Sequence, residues 1–186
     1  YVVFDPRHGT NYSTVLNFQG ERTILIYHEP RTYRLPTLAP SVRVYLTSMG
    51  KGWERIVPPL LRYLKTSGAS LAFNPGTHQL RSKPSVIASL LKHTDVLLVN
   101  REEAATLLKR SPSVTPRTLL SGLHALGPAT VVITDGPIGS YALRDGDAWF
   151  MPPYPLPAVE RTGAGDAYST GFLAALSYDA DIADAL

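Results

Sequence analysis

The feature that most constrains this chain is a regular alternation of short apolar runs with amphipathic stretches from about residue 42 onward. The apolar runs are "VRVYLT", "SLAFN", "DVLLVN" and "TVVIT", and the stretches between them are "WERIVPPLLRYLK", "SVIASLLK", "EEAATLLK" and "RTLLSGLHAL". Short, fully apolar runs indicate strands buried on both faces, and the periodicity of the intervening stretches indicates helices. The alternation therefore predicts an α/β fold with a mainly parallel sheet flanked by helices.

Two further segments indicate antiparallel structure. The β-rich runs "YSTVLNF" and "RTILIYH" are separated only by "QGE", which predicts a hairpin in residues 1–35. Beyond the last apolar run, "GSYALRDGDAWFMP" predicts a second hairpin that turns at "RDGD". The fold we expect is thus a parallel sheet with antiparallel additions at its beginning and end.

Composition limits the classes of protein to consider. With 186 residues, 44% of them hydrophobic and 18% charged, and with no repeat or linker, we expect one α/β domain over residues 1–186. The absence of cysteine excludes disulfides and thiolate metal sites and favours a cytoplasmic location. No apolar run approaches the length of a membrane span, so we expect no membrane partner. The net charge is only +3 and the arginines are scattered, so we expect no nucleic-acid partner.

The two ends of the chain give a further expectation. The chain begins in a segment with extended character and stops at "DADIADAL", where a new helix starts without an obvious cap. We therefore expect the sequence to be cut at both ends.

Polar residues follow three of the predicted strands. "SLAF" leads into Asn74-Pro75-Gly76, "DVLLV" into Asn100, and "TVVI" into Thr134-Asp135-Gly136. Ligands of open α/β sheets bind in the crevice beyond the carboxyl ends of the strands. Because these three strand ends share one edge, we expect them to form such a crevice.

Asn100, Glu102 and Glu103 are the clearest candidates for holding a metal. Magnesium prefers oxygen ligands, and these side chains follow directly after a strand. The same residues also suit a helix start with a capping asparagine and acids in the first turn. The spacing alone does not decide between these interpretations. The five histidines show no paired spacing that would predict a metal site.

The segment "ERTGAGDAYSTGF" at residues 160–172 predicts an anion-binding turn. Gly163 and Gly165 permit a tight turn, and the following helix offers its unpaired first amides and the positive end of its dipole. Asp166 is either a first-turn acid stabilised by that dipole or a carboxylate that takes a proton beside a bound phosphate. We also expect this helix to be well buried, with small residues that permit close packing at Ala164, Ala167, Gly171 and Ala174.

Two common phosphate motifs are absent. The sequence contains no G-x-x-x-x-G-K followed by Ser or Thr, which excludes a P-loop. Its glycines also do not follow the first strand with G-x-G-x-x-G spacing, which argues against a dinucleotide-binding fold.

Several motifs together resemble one family, the ribokinase-like carbohydrate kinases or PfkB family. "ERTGAGDAYSTGF" resembles the family's C-terminal D-T-x-G-A-G-D signature, "NREE" its N-x-x-E motif and "TDGPIGSY" its T-x-G-x-x-G segment, in the family's order. "FNPGTHQL" resembles the loop after one of its strands, and "STVLNFQGERTILIYHEP" the region beside its lid. The resemblance implies a ribokinase-like fold in which residues 1–35 form a β segment adjacent to the lid.

The resemblance also implies roles for individual residues. Asp166 would be the catalytic base, and Gly163, Ala164 and Gly165 would form the anion hole. Contacts to the ATP phosphates would come from Thr134, Gly136 and Gly139, and Mg²⁺ would be held by Asn100 and Glu103.

The implied activity is transfer of the γ-phosphoryl group of ATP to a hydroxymethyl group of a sugar or related small molecule. A nucleoside kinase of the same family and a truncated nucleotide-binding module without catalysis are the alternatives. Many members dimerise through the lid sheet, so a homodimer is one implied assembly. The family's acidic-Thr pair, in a segment that contributes to a monovalent-cation site in many members, is Glu160-Arg161 here. The resemblance therefore leaves activation by a monovalent cation open, and we hypothesise that Arg161 faces a phosphate instead.

Overall fold

The computed structural model describes residues 6–18, 21–156 and 162–186. It contains eight strands and seven α-helices within these ranges. The strands are β1 (Tyr12–Phe18), β2 (Glu21–Tyr27), β3 (Arg43–Leu46), β4 (Ser70–Phe73), β5 (Val96–Asn100), β6 (Thr130–Thr134), β7 (Ser140–Arg144) and β8 (Asp147–Met151). The helices are α1 (Val57–Ser67), α2 (Thr77–Leu80), α3 (Pro84–Leu91), α4 (Arg101–Leu108), α5 (Pro116–His124), α6 (Ala164–Ser177) and α7 (Ile182–Ala185).

The main sheet has six strands in the order β3-β4-β5-β6-β7-β8, which is also their order in the chain. The pairs from β3 to β6 are parallel, and β7 and β8 add antiparallel strands at one edge. Helices connect the parallel strands, as crossover connections of this kind require. The predicted α/β fold with a mainly parallel sheet is therefore confirmed.

Alternate side chains of the central strands enter two separate cores. Leu97 and Val99 of β5 pack in the core on one face of the sheet with residues of α1, α3, α4 and α5. Val96 and Leu98 of the same strand pack in the core on the other face with Phe172 of α6. This two-sided burial explains why "VLLV" of β5 and "VVI" of β6 are continuous apolar runs rather than alternating ones.

The second hairpin forms where "RDGD" predicts it. Asp145 and Gly146 both have positive φ, 52° and 90°, and Arg144 pairs with Asp147 across the turn. Positive φ at both central residues is the requirement of the two-residue turn that matches strand twist.

The first hairpin is a separate two-stranded ribbon. β1 and β2 pair over seven residues each, from Tyr12 opposite Tyr27 to Phe18 opposite Glu21. Its large apolar side chains are exposed, Phe18 by 73% and Leu25 by 56%. The predicted antiparallel N-terminal segment is confirmed, and it exposes apolar surface on both of its faces.

Two expectations about the C-terminal part were wrong. Only Ser169, Phe172 and Leu173 of α6 are buried, and the four small residues expected to pack closely are exposed: Ala164, Ala167, Gly171 and Ala174. These residues lie on the side of the helix turned away from the sheet. The final helix α7 does have a cap, because Asp181 Oδ1 accepts a hydrogen bond from the Asp184 N–H at 2.9 Å.

Candidate functional site

The register of the sheet brings the predicted polar strand ends together. Asn100 at the end of β5 is the direct parallel partner of Thr134 at the end of β6. After β4, Asn74 Nδ2 donates to the carbonyl oxygen of Leu98 at 2.7 Å, which fixes its side chain against β5. The three strand ends therefore form one continuous polar edge, as expected.

Asn100 and Glu103 form a reciprocal capping box at the start of α4. Asn100 Oδ1 accepts from the Glu103 N–H at 2.8 Å, and Glu103 Oε2 accepts from the Asn100 N–H at 2.9 Å. These bonds satisfy two amides that the first turn of a helix leaves unpaired. The capping interpretation is thus correct for the geometry. Glu103 Oε1 makes no further hydrogen bond to the described residues, so one carboxylate oxygen remains available to a ligand.

The environment of Glu103 raises the pKa of its carboxyl group. Burial raises the pKa of this carboxyl above its ordinary value, and the hydrogen bond from the Asn100 N–H acts against that shift. The nearby carboxylates of Glu102 and Asp166 raise the pKa further by like-charge repulsion. A cation bound between Glu103 and Asp166 would relieve both the burial cost and this repulsion.

The start of α6 is a tight turn that begins at a glycine. Gly163 is the N-cap, with φ of 77°, a left-handed conformation that strains any other common residue. The Ala167 N–H donates to the Gly163 carbonyl at 2.8 Å, which closes the first turn. Asp166 lies within that turn and is exposed, so it is a first-turn acid and not the capping residue.

A small cavity of about 200 Å³ unites the predicted catalytic and metal residues. Its wall contains Asp166, Gly163 and Gly165 from the start of α6, together with Asn100 and Glu103 from the start of α4. Thr134 also lines it, with Asn74 and Ser169 completing the polar wall.

A larger cavity of about 640 Å³ lies beside the small one. Gly136 and Gly139 line it, as does Ala164, and it shares Thr134 and Gly165 with the small cavity. Its remaining wall is mainly apolar and comes from Ser140, Met151, Pro152, Pro153, Tyr154, Pro155, Tyr168 and Leu186. The two cavities therefore meet at the residues predicted to contact phosphate groups.

Gly139 shapes the turn that borders the larger cavity. Its φ is 128°, and a Cβ atom added there would lie 2.2 Å from the Met151 carbonyl oxygen. Its carbonyl accepts from the Asp135 N–H at 2.8 Å, which closes the turn between β6 and β7. Only glycine fits this position without displacing the backbone of β8.

Metal binding at this site would depend on few protein ligands. Within residues 6–18, 21–156 and 162–186, no group of three or more His, Asp or Glu side chains could hold a metal. Magnesium is commonly bound through one or two carboxylates, with waters and substrate phosphates supplying the other ligands. Glu103 with one unused carboxylate oxygen fits that mode of binding.

Sequence reasoning missed part of the site. Ser169 follows Asp166 by three residues on α6, a helical spacing that could have identified it. Tyr168 and the segment "MPPYP" gave no chemical signal, because apolar and proline residues are ordinary in loops. Glu160 and Arg161, including the predicted contact of Arg161 with a phosphate, lie outside the described residues.

The structure also bears on association with membranes. Among the described residues, none of the helices has the length and apolar character needed to cross a bilayer.

Comparison with known proteins finds similar sequences among sugar and nucleoside kinases. The chain is 27% identical over 133 residues to a ribokinase of Bacillus subtilis, covering 72% of this chain and 41% of that protein. It is 31% identical over 120 residues to a nucleoside kinase of Methanothermobacter thermautotrophicus, covering 64% and 37%. This chain therefore spans about two fifths of the length of these relatives.

A solved structure and a family model agree with these matches. The crystal structure of a putative ribokinase II from E. coli in complex with ATP and Mg²⁺ superposes with a TM-score of 0.72. The sequences are 18% identical, and the match covers 97% of this chain and 62% of that one, so it shows a shared fold. The model of the pfkB family carbohydrate kinases matches residues 1–186. The chain belongs to the pfkB family of carbohydrate kinases.

Proposed function

We propose that this chain carries the catalytic part of an ATP-dependent kinase that phosphorylates a hydroxymethyl group of a sugar or related small molecule. The observation that supports this proposal most strongly is the meeting of two cavities at Thr134 and Gly165. One cavity is small and polar and is lined by Asp166, while the other has the size and apolar wall suited to a nucleotide.

The proposed reaction assigns one chemical task to each group. The acceptor hydroxyl oxygen attacks the γ-phosphorus of ATP, the bond between that phosphorus and the β–γ bridging oxygen breaks, and ADP leaves. Asp166 takes the proton of the attacking hydroxyl. The amides of Gly163, Ala164 and Gly165 donate to the transferred phosphoryl group, whose charge is greatest in the transition state.

Binding of the phosphates is proposed for the turn after β6. Thr134, Gly136 and Gly139 border the larger cavity, and their backbone can approach a triphosphate closely. Asn100 and Glu103 would hold Mg²⁺ with its waters, which would supply charge neutralisation for the phosphates. ATP and Mg²⁺ are also the ligands of the E. coli structure that shares this fold.

Substitution of Asp166 by Asn tests the proposed base. The test measures ADP formation with ATP, Mg²⁺ and a panel of sugars, and nucleotide affinity by calorimetry. We expect Asp166→Asn to lower kcat at least 100-fold while changing nucleotide affinity little, because general base catalysis contributes about 10²–10⁴-fold. Asp179→Asn is the matched control, since Asp179 is an exposed carboxylate beyond the other end of α6. Near-normal kcat in Asp166→Asn would refute the proposed role.

The nucleoside kinase of Methanothermobacter gives a specific reason to test a second acceptor class. Inclusion of nucleosides in the same panel distinguishes the two activities by which acceptor supports ADP formation. Nucleotide binding without turnover on any acceptor would instead favour a non-catalytic nucleotide-binding module.

Assembly and location are also part of the proposal. The exposed apolar faces of the β1–β2 ribbon favour a homodimer in which two ribbons cover one another. We expect residues 1–186 to form a single α/β domain. We also expect a cytoplasmic location, because ATP is available there and proteins of this reducing compartment rarely depend on disulfides.

A further inference from the structure

Arg101 uses all three of its guanidinium nitrogens in contacts within the fold. Nη1 donates to Asp135 Oδ2, Nε donates to the Pro112 carbonyl at 2.8 Å, and Nη2 donates to the Val114 carbonyl at 3.1 Å. The side chains of Arg101 and Asp135 are only 25% and 12% exposed. A partly buried pair with this many hydrogen bonds holds one geometry, unlike an exposed ion pair.

The ion pair joins two segments that the proposed reaction uses separately. Arg101 lies inside the Asn100–Glu103 capping box, next to the residues proposed to hold the metal. Asp135 lies between Thr134 and Gly136, which line the larger cavity. Because Asn100 and Thr134 are paired in the sheet, the ion pair is a second connection just beyond the ends of the same two strands.

The direction of the Asp135 side chain has an electrostatic consequence. The cavity lining includes its two neighbours, Thr134 and Gly136, but does not include Asp135. A carboxylate turned into this cavity would repel the phosphates of a nucleotide. The contact with Arg101 holds the carboxylate away from the cavity and neutralises its charge.

We propose that the Arg101–Asp135 ion pair is a positioning device for nucleotide binding. It keeps the Asp135 carboxylate turned away from the larger cavity, where its charge would repel the phosphates of a nucleotide. Arg101 is a positioning residue, since all three of its nitrogens make contacts within the fold and it lines neither cavity. This inference rests on the proposed nucleotide site.

The two partners therefore have unequal effects on nucleotide affinity. Arg101→Met leaves the Asp135 carboxylate unpaired beside the phosphates, so the Kd of Mg·ADP should rise roughly tenfold or more. Asp135→Asn removes the repelling charge, so its Kd should stay within about threefold of wild type. The double variant Arg101→Met/Asp135→Asn should recover most of the loss, because no unpaired carboxylate remains.

Calorimetric titration with Mg·ADP measures these affinities, and thermal melting measures folding independently. Arg101→Lys is the second variant in case Arg101→Met folds poorly. It should raise Kd by a smaller factor than Arg101→Met, because the ammonium still neutralises the Asp135 carboxylate although it cannot make all three contacts. Arg144→Met and Asp145→Asn are matched controls, because that ion pair lies on the exposed hairpin turn. Both should bind as wild type does.

Four outcomes would overturn the inference. Unchanged affinity in both Arg101→Met and Arg101→Lys would show that the ion pair does not position the nucleotide site. Equal losses in Arg101→Met and Asp135→Asn, or no recovery in the double variant, would show a purely structural pair. Absence of Mg·ADP binding by the wild-type chain would refute the proposed nucleotide site itself, and the inference with it.

Discussion

Glu103 illustrates at the scale of one residue how a partly buried carboxylate lowers stability. Its folded-state pKa is raised, chiefly by burial, so the folded protein disfavours the ionised form more than the unfolded chain does. The protonated Glu103 carboxyl therefore contributes its whole stabilising effect at pH values below its ordinary pKa of 4.5. That effect is lost as the pH rises through the raised pKa of the folded state.

Glu103→Gln should accordingly stabilise the folded chain at neutral pH. Glutamine keeps an acceptor for the Asn100 N–H but carries no charge, so the free energy of unfolding should exceed that of wild type at pH 7. The difference should shrink as pH falls toward about 4 and below. Urea unfolding at several pH values in the absence of metal measures it. Glu102→Gln, at the exposed neighbouring position, should show a much smaller difference, and a Glu103→Gln difference independent of pH would contradict the prediction.

Gly139 gives a second prediction at this scale. Gly139→Ala places a methyl group within 2.2 Å of the Met151 carbonyl and requires φ of 128°, so the turn and the edge strand β8 must separate. We expect a loss of unfolding free energy of about 1–3 kcal/mol and weaker nucleotide binding. Gly146→Ala is the control, because Gly146 also has positive φ but an added Cβ would meet nothing within 4 Å. Equal melting temperatures of the two variants would refute the steric account.

At the scale of elements, the Gln79 side chain connects the loop after β3 with the loop after β4, beside the polar edge of the sheet. It is fully buried on α2; its Nε2 donates to the Thr47 carbonyl at 2.8 Å, and its Oε1 accepts from Gly76 at 2.7 Å and Met49 at 3.2 Å. Gln79→Leu would leave three backbone groups unpaired.

We therefore expect Gln79→Leu to lower the free energy of unfolding by about 2–4 kcal/mol, measured by urea denaturation. Gln79→Glu separates hydrogen bonding from volume, since it retains an acceptor but loses the donor to Thr47. Its loss should be of similar size because it buries a charge. Wild-type stability in Gln79→Leu would show that these bonds contribute nothing net.

The elements also show what the sequence can predict and where prediction ends. Apolar periodicity predicts each central strand, and Asn-x-x-Glu predicts the α4 capping box, because both depend on residues close in the chain. The pairing of Asn100 with Thr134 and the contact of Arg101 with Asp135 join residues that are 34 positions apart in the chain, and local spacing does not determine their register. The exposed face of α6 was mispredicted because small residues suit either close packing or open surface.

At the scale of the whole molecule, the two faces of the sheet are covered unequally. Four helices cover the face that contains Leu97 and Val99, whereas only α6 and α7, within the described residues, cover the face that contains Leu98. The candidate site lies beyond the strand ends between these layers, where α4 and α6 both begin. Helices from opposite faces thus supply Glu103 and Asp166 to one cavity.

The β1–β2 ribbon gives a prediction about assembly. A two-stranded ribbon with exposed apolar side chains on both faces is marginal alone, and the proposed homodimer would bury one face. Leu25→Lys places a charge on that apolar surface, so sedimentation should show dimer dissociation at a concentration where wild type remains associated. Val42→Lys, at a position 88% exposed outside the ribbon, should not change association. A monomeric wild type, or a Leu25→Lys variant that associates as wild type does, would show that the ribbon does not mediate dimerisation.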